Sequence, residues 1–280
     1  MLIRLVVGGL GLLMLAGCSG SEAEETTPSE QPFVALPSAT GSNRVAETRW
    51  VPKQGTAWQW QLQGKLDLSV DVPVYDVDWQ TTSEAEIAEL HSLGRHVICY
   101  VSVGSYEKYR PDAKKFPASV LGKELDGWPD ERWLDIRQWD QLEPILAARF
   151  DQCRAKGFDA VEPDNVDGYS NESGFPLTAD DQLTFNRRIA DLAHARGMSV
   201  GLKNDVEQAA ALEPSFDFAV NEECMRYDEC EMLQPFLQAG KAVLHVEYDL
   251  DPSEFCAKAK AMGLSSMQKP LELGADRRPC

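Results

Sequence analysis

The segment FDAVEPDNVDGYSNESGF (158–175) carries several acidic side chains directly after an apolar run. The run has the pattern of a buried strand, and Glu162 and Asp164 follow two positions apart, so both would lie on one face of that strand. Asp-Asn and Asp-Gly are typical of turns, but a turn does not require two acids on one strand face. Carboxyl groups in such a place could act in glycoside hydrolysis, where one donates a proton and another serves as nucleophile or base.

Strand and helix patterns alternate along the chain, which indicates a parallel sheet. Five times a helical pattern passes through a glycine into an apolar strand, and this glycine suits the left-handed conformation that ends a helix. The five passages are LHSLGRHVICYVSVGS, CRAKGFDAVEPDN, AHARGMSVGLKND, LQAGKAVLHVEYD and AKAMGLSSMQKP.

Eight strands in a domain of about 235 residues favour a (β/α)8 TIM barrel over an open doubly wound sheet. A long insertion after the third strand, from Gly104 to Trp139, is expected to lie across the top of the barrel and contains the strand-like RWLDI. Helices are predicted at 83–93, 140–156, 179–196, 205–212, 231–239 and 252–262. The predicted strands are 57–62, 73–79, 96–103, 159–164, 199–204, 216–222, 242–248 and 265–269.

Polar side chains end nearly every predicted strand, where a barrel of this class places its active site. Asp164 and Glu222 come from different strand ends and could face one another; a separation of about 5 Å would indicate a retaining glycosidase and about 6.5–9.5 Å an inverting one. Each acid alone is better explained as a cap or turn carboxylate, but the convergence of the set is harder to explain that way. The set is Asp76, Asp78, Ser102, Glu162, Asp164, Lys203, Asn204, Asn221, Glu222 and Glu247.

Composition argues against several other classes of function. The four histidines are scattered, so no metal site and no cofactor is predicted. No GxGxxG or GxxxxGK[ST] motif follows a predicted strand, which removes the main support for a nucleotide site. The net charge of −18 and the lack of a basic block make nucleic acid a poor partner. This acidity would attract a cationic ligand, although it also keeps an exported protein soluble.

The N-terminus has the features of an export signal. Arg4 is followed by a short apolar run, and Leu15-Ala16-Gly17-Cys18 resembles a bacterial lipobox. That resemblance implies a signal peptide at 1–17, a lipid on Cys18 that anchors the protein in the cell envelope, and, with Ser19 next, sorting to the outer membrane. An ordinary signal peptide is the alternative. Residues 18–43 are polar and are expected to form a flexible tether, which leaves 44–280 as one domain.

Six cysteines remain once Cys18 is lipidated, and they can pair in 15 ways. Cys224 and Cys230 are close enough in sequence for a short loop disulfide. Cys99 lies within a strand pattern and is expected to be a free buried thiol.

Aromatic content agrees with a sugar ligand, because indole faces stack on pyranose rings. All seven tryptophans lie between Trp50 and Trp139. Core packing explains Trp58 and Trp60 equally well, since they share one strand face.

Several long motifs resemble glycoside hydrolase family 114, the endo-α-1,4-polygalactosaminidase group. They are WQWQL, VYDVDW, GRHVICYVSVGSYEKYRPDAKKFP, LDGWPDERWLDIR, VEPDNVDGYSNESGFPLT, GLKND, FAVNEEC and HVEYD, which extend over about 58–249. The resemblance implies a (β/α)8 fold and endo-hydrolysis of an α-1,4-linked, galactosamine-containing polysaccharide with retention.

The resemblance also assigns site residues: Asp164 of EPDN is the expected nucleophile and Glu222 of VNEE the expected general acid/base. Partly deacetylated galactosamine polymer is cationic, which suits an acidic pocket, and we expect a monomer. A non-catalytic polysaccharide- or solute-binding lipoprotein on the same scaffold is the alternative. The expected supporting residues are Asp76, Asp78, Tyr100, Tyr106, Glu162, Asn165, Lys203, Asn204, Asp205, Asn221 and Glu247.

Overall fold

A computed structural model describes residues 49–280. The predicted signal peptide at 1–17, the lipidation of Cys18, the tether at 18–43 and the first residues of the predicted domain lie outside this part of the chain. No helix within 49–280 is both long and apolar enough to cross a membrane.

Eight parallel strands form one sheet in the order in which they occur along the chain, which confirms the predicted barrel topology. They are β1 (Trp58–Gln61), β2 (Val74–Asp78), β3 (His96–Ser102), β7 (Ala160–Asp164), β8 (Ser199–Lys203), β9 (Phe218–Glu222), β10 (Val243–Glu247) and β11 (Ser265–Gln268). The short β12 (Arg278–Pro279) pairs antiparallel with β11. Within the described residues no ladder joins β1 to β11, but Trp58 Nε1 donates to the carbonyl of Ser265 at 2.8 Å.

Six helices alternate with the strands close to the predicted positions: α1 (Glu84–Ser92), α2 (Trp139–Lys156), α3 (Ala179–His194), α4 (Ala209–Leu212), α5 (Gln234–Gln238) and α6 (Pro252–Met262). Capping boxes begin α1, α3 and α6, and their side chains satisfy backbone N–H groups that lack helical partners. Gly157 ends α2 at φ 98° and Gly263 ends α6 at φ 88°, as the sequence predicts.

The insertion after β3 forms a second, antiparallel sheet with the order β4-β6-β5. Its strands are β4 (Ser105–Glu107), β5 (Leu121–Leu125) and β6 (Trp128–Leu134), so RWLDI is strand only up to Leu134. The turn between β5 and β6 is Asp126-Gly127, with Gly127 at φ 78°.

Two apolar clusters lie on the two faces of the parallel sheet. The inner cluster fills the barrel with alternate residues of the strands, among them Trp58, Trp60, Ile98 and Phe218. A Cβ on Gly201 would lie 2.4 Å from the Phe218 ring, so glycine at this position lets that ring occupy the interior. The outer cluster lies between the strands and the helices.

Three disulfides cross-link the domain. Cys224–Cys230 is confirmed, but the prediction that Cys99 is a free thiol is wrong, because Cys99 is bonded to Cys153. Cys99 faces the outer layer from β3, and Cys153 lies on the buried face of α2 that packs there. The third bond joins Cys256 of α6 to Cys280.

Candidate active site

A cleft of about 760 Å³ opens at the carboxyl ends of the parallel strands. Strands β2, β3, β7, β8 and β9 supply its floor, and β5 and β6 of the insertion supply one wall. The expected position of the insertion, at the top face, is therefore found.

Lys203 lies at the centre of the cleft floor and is 3% exposed. Its Nζ is 3.1 Å from Glu162 Oε1, 3.0 Å from Asp164 Oδ1 and 3.2 Å from Glu222 Oε2. The same ammonium lies 4.7 Å from the ring centroid of Trp60, within the range of a cation–π contact. One buried cation on β8 therefore holds three carboxylates from the two strands beside it, two from β7 and one from β9.

Asp164 receives a hydrogen bond on each carboxylate oxygen. Lys203 donates to Oδ1 at 3.0 Å, and the Tyr100 hydroxyl donates to Oδ2 at 2.7 Å. Burial acts to raise the pKa of Asp164, but the ammonium of Lys203 and the hydrogen bond from Tyr100 outweigh it and leave that pKa below its ordinary value. The carboxylate is thus held ionised, as a nucleophile must be.

Besides its contact with Lys203, Glu222 accepts hydrogen bonds from two other side chains. The Tyr248 hydroxyl donates to Oε1, and Asn204 Nδ2 donates to Oε2 at 3.3 Å. The Glu222 backbone N–H donates to Asn204 Oδ1 at 2.9 Å, so Asn204 fixes both the backbone and the side chain of Glu222. Asn204 has φ 47°, in the left-handed region that asparagine tolerates, and this conformation turns the chain at the end of β8.

Asp164 and Glu222 both contact Lys203 Nζ, which sets an upper limit on the distance between their nearest oxygens. Because Lys203 Nζ is 3.0 Å from Asp164 Oδ1 and 3.2 Å from Glu222 Oε2, these two oxygens are no farther apart than the sum of the two distances. The two carboxylates therefore reach the same small region of the cleft floor.

Asp76 and Glu162 lie beneath this layer and are fully buried inside the barrel. Burial, followed by the charge of Glu162, raises the pKa of Asp76 well above its ordinary value. Burial also raises the pKa of Glu162, against the opposing effect of Lys203. Neither residue lines the open cleft, so both support the floor rather than contact a ligand.

Asp78 lines the cleft but is engaged in an ion pair. Its two carboxylate oxygens accept from Arg110 Nη1 at 3.0 Å and Nη2 at 2.6 Å. Burial raises the pKa of Asp78, but Arg110 more than compensates and leaves it lowered. Arg110 in turn pairs with Glu107, so Asp78 anchors the insertion to the barrel.

Glu247 and Asn221 are not brought into the cleft, which corrects two sequence predictions. In the pairing of β9 with β10, Val246 lies opposite Glu222 and faces inward, so Glu247 faces outward. Glu247 Oε1 instead accepts from the backbone N–H of Met225 at 2.8 Å. Asn221 likewise faces outward, and its Oδ1 accepts from the backbone N–H of Cys224 at 3.1 Å.

Two further predicted residues lie away from the cleft lining. Asp205 is buried behind it and accepts from Asn186 Nδ2 at 2.9 Å; burial, then the charge of Asp167, raises its pKa to about 8. Tyr106 packs edge-on against Phe116 of the insertion with ring centroids 5.9 Å apart. Tyr100, Asn165, Lys203 and Asn204 do line the cleft, as predicted.

One group of side chains of metal-ligating type lies together in residues 49–280: Cys224, Cys230 and His245. The two sulfurs are joined in a disulfide, so neither is a thiolate able to bind a metal. His245 faces Glu247 at 2.8 Å outside the barrel.

Sequence reasoning missed several polar residues that line the cleft, among them Tyr109, Glu131, Asp167 and Tyr248. Strand alternation could have found Tyr248, which follows the inward-facing Val246 by two positions. Burial and the charge of Asp164 raise the pKa of Asp167 to about 6.

The tryptophans divide into two groups. Trp128, which is 52% exposed, lines the cleft with the buried Trp133 and Trp60, while Trp58 and Trp79 are buried and do not line it.

Comparison with known proteins places this geometry among glycosidases. The model of "Glycoside-hydrolase family GH114" matches residues 39–280. The crystal structure of Aspergillus fumigatus Ega3 in complex with galactosamine is 40% identical, with 82% of this chain and 97% of that chain covered and a TM-score of 0.78. The glycoside hydrolase domain of PelA from Pseudomonas aeruginosa is 13% identical, with 79% and 96% covered and a TM-score of 0.61, and shares the fold. The search of curated protein sequences gave no match.

Proposed function

Because the chain belongs to glycoside hydrolase family GH114 and is therefore a glycosidase, we propose that it cleaves internal α-1,4 linkages of a galactosamine-containing polysaccharide. The observation that carries the proposal is the pair Asp164 and Glu222, which approach a common point on the cleft floor from β7 and β9. The similar Ega3 structure, which contains galactosamine, supports the choice of sugar.

The charge of the cleft supports a cationic polymer. Nine acidic side chains line it against two basic ones, and both basic groups are already paired with carboxylates. An ammonium group on the substrate would therefore enter a region of negative potential. A neutral or acidic polymer would gain nothing from this field.

The proposed reaction retains configuration and has two steps. An oxygen of ionised Asp164 attacks the anomeric carbon while the glycosidic oxygen leaves with the proton of Glu222, which gives a glycosyl ester and a free chain end. Water then attacks the anomeric carbon, gives its proton to Glu222 and releases Asp164. The close approach of the two carboxylates to one ammonium is in keeping with this route, and the resemblance to the family suggested retention.

We propose that the ammonium of Lys203 stabilises the negative charge on Asp164 in the first step and on Glu222 in the second. In the free enzyme the ammonium lies 3.0 Å from Asp164 Oδ1 and stabilises the ionised nucleophile. Formation of the ester removes the charge of Asp164, and the ammonium 3.2 Å from Glu222 Oε2 then stabilises the carboxylate that must act as base.

We also propose that the protein is anchored in a bacterial outer membrane by a lipid on Cys18 and is a monomer. Only the sequence supports the anchor. Metabolic labelling with a palmitate analogue tests it, because Cys18→Ala should abolish both the label and the membrane fraction.

The proposed reaction is tested by reducing-end release from partly deacetylated α-1,4-galactosamine polymer. The full chain should release reducing ends, and Asp164→Asn and Glu222→Gln should each lower the rate at least about a hundredfold. Asp71→Asn is the matched control, because that side chain is fully exposed and should be neutral. Proton NMR of the first product gives the anomeric configuration, and product sizes separate endo from exo cleavage.

Retained polymer without cleavage would contradict the proposed reaction and favour the binding alternative. Cleavage with a product of inverted configuration would support the proposed substrate but refute the nucleophilic role of Asp164.

A further inference from the structure

Glu131 is a buried carboxyl group that the proposed mechanism leaves unused. It lies on β6, is 9% exposed and lines the cleft. Its neighbour across the ladder, Glu107, pairs with Arg110 and Arg149. Within residues 49–280 no cation forms an ion pair with Glu131 itself. Burying a carboxyl group without a cation costs free energy, so the position calls for a functional explanation.

A continuous chain of hydrogen bonds leads from Glu131 toward Asp164. Ser105 Oγ donates to Glu131 Oε2 at 2.8 Å, and Ser105 Oγ and Ser102 Oγ are 2.6 Å apart. Asn165 Nδ2 lies 3.0 Å from Ser102 Oγ and 3.2 Å from Ser105 Oγ, and it reaches Asp164 Oδ2 at 3.3 Å.

The single hydrogen of each hydroxyl fixes the direction of this chain. Ser105 gives its hydrogen to Glu131, so the hydrogen between the two serines must come from Ser102. Both serine oxygens then present lone pairs to Asn165, whose Nδ2 hydrogens are held toward the serines and Asp164.

We propose that Glu131 positions the nucleophilic carboxylate of Asp164 by fixing, through two serine hydroxyls, the amide of Asn165. The inference rests on the proposed role of Asp164. When Glu131 is protonated, its own hydrogen can turn toward Ser105 Oγ, Ser105 then donates to Ser102, and the Ser102 hydrogen turns toward Asn165. Ser102 Oγ then offers Asn165 one free lone pair instead of two, so this hydrogen bond and the hold of Asn165 on Asp164 weaken.

The surroundings of Glu131 place this switch near neutral pH. Burial, followed by the charge of Glu107, raises the pKa of Glu131 to about 7, while hydrogen bonds from Ser105 and Tyr109 act to lower it. The pKa of Asp164 is below its ordinary value, so Asp164 stays ionised throughout this range. The titratable groups that face Glu131 are Tyr100 of β3, Glu107 of β4, Tyr109 of the following loop and Asp164 of β7.

The first test is the pH profile of kcat for wild type, Glu131→Gln and Ser105→Ala. In wild type kcat should fall about tenfold as pH decreases through about 7, since a small misplacement of a reacting group costs one to two orders of magnitude. Glu131→Gln should lack this step because it cannot titrate. Ser105→Ala should lack it too, with kcat lowered about tenfold at every pH and KM nearly unchanged. Asp130→Asn is the matched control, because this exposed neighbour on β6 pairs with Lys108 at the surface and should keep the step.

A second readout does not depend on any substrate. The ¹³C side-chain carboxyl signal of Asp164, assigned by its loss in Asp164→Asn, should shift near pH 7 in wild type and should not shift there in Glu131→Gln or Ser105→Ala. A wild type that shows this shift but fails to cleave the polymer would refute the proposed substrate and keep the link between Glu131 and Asp164. An unchanged step in either variant, or a loss confined to KM, would overturn the positioning role.

Discussion

The ammonium of Lys203 lies 3.0 Å from Asp164 Oδ1 at a depth where the lysine side chain is 3% exposed. Burial alone would raise the pKa of Asp164, so its lowered pKa depends on the lysine and the tyrosine that donate to it. The ionised nucleophile and the stability of the floor therefore depend on the same cation.

Lys203→Met should lower the free energy of unfolding at neutral pH by about 3–5 kcal/mol, because it leaves buried carboxylates unpaired. The wild-type pKa of Asp164 is depressed, so its stabilising contribution persists down to acidic pH. In the variant burial dominates and the pKa rises, so the acidic limb of kcat/KM should move to higher pH and part of the lost stability should return on acidification. Denaturant unfolding and pH–rate profiles measure both effects. Lys258→Met, at an exposed lysine paired with Asp228, should change neither.

Gly104→Ala should destabilise the domain by at least about 3 kcal/mol. A Cβ at this position would lie 1.7 Å from the carbonyl oxygen of Asn165, which is backbone and cannot swing away. Activity should fall with stability because Asn165 contacts Asp164. Thermal melting and initial rates test this, with Gly274→Ala, whose Cβ would meet nothing within 4 Å, as the control. A native melting temperature in Gly104→Ala would show that the close approach is not required.

Removing one disulfide should mainly lower stability, and removing another should mainly lower activity. Cys99–Cys153 closes a sequence separation of 54 residues and Cys224–Cys230 one of 6, so chain entropy predicts losses of about 4 and about 2 kcal/mol. Cys224 follows Glu222 by two residues. Removal of Cys224–Cys230 should therefore lower kcat more than removal of Cys99–Cys153, although it should lower the free energy of unfolding less. Paired Cys→Ala variants, compared by unfolding and by kinetics at a temperature where both are folded, measure the two quantities. Equal kcat values in the two variants would refute a role for the short loop in holding Glu222.

Trp128→Ala should raise KM for the proposed polymer about three- to tenfold and leave kcat and the melting temperature nearly unchanged. The indole is 52% exposed on the cleft wall, so its removal takes away a stacking surface and leaves little cavity. Trp79→Ala gives the contrasting case, because removal of that fully buried ring should lower the free energy of unfolding by about 3–5 kcal/mol. If Trp128→Ala raises KM for a short oligosaccharide as much as for the polymer, Trp128 lies closer to the cleaved bond than a distant stacking surface would.

Local patterns were sufficient for the barrel and for the central part of the site. Glycines at helix ends and apolar runs predicted the positions of eight parallel strands, and Asp164, Glu222 and Lys203 meet where those strands end. These predictions depend on spacing within one element, which the sequence contains directly.

Predictions that required the relation between elements were less accurate. The outward direction of Glu247 depends on its register with β9, and the Cys99–Cys153 bond depends on how α2 packs against β3. Glu131 was missed because it enters the cleft from the insertion, whose antiparallel pairing the barrel pattern does not predict.

The wall formed by β5 and β6 has an evolutionary consequence, because it comes from one uninterrupted stretch between two elements of the barrel. The aromatic and acidic groups on that wall can be exchanged together, while the carboxylates of β7 and β9 stay in place on the scaffold. A related chain could therefore change the sugar it accepts by replacing a single cassette, the stretch between β3 and α2, and grafting this cassette between family members is a direct route to new specificity.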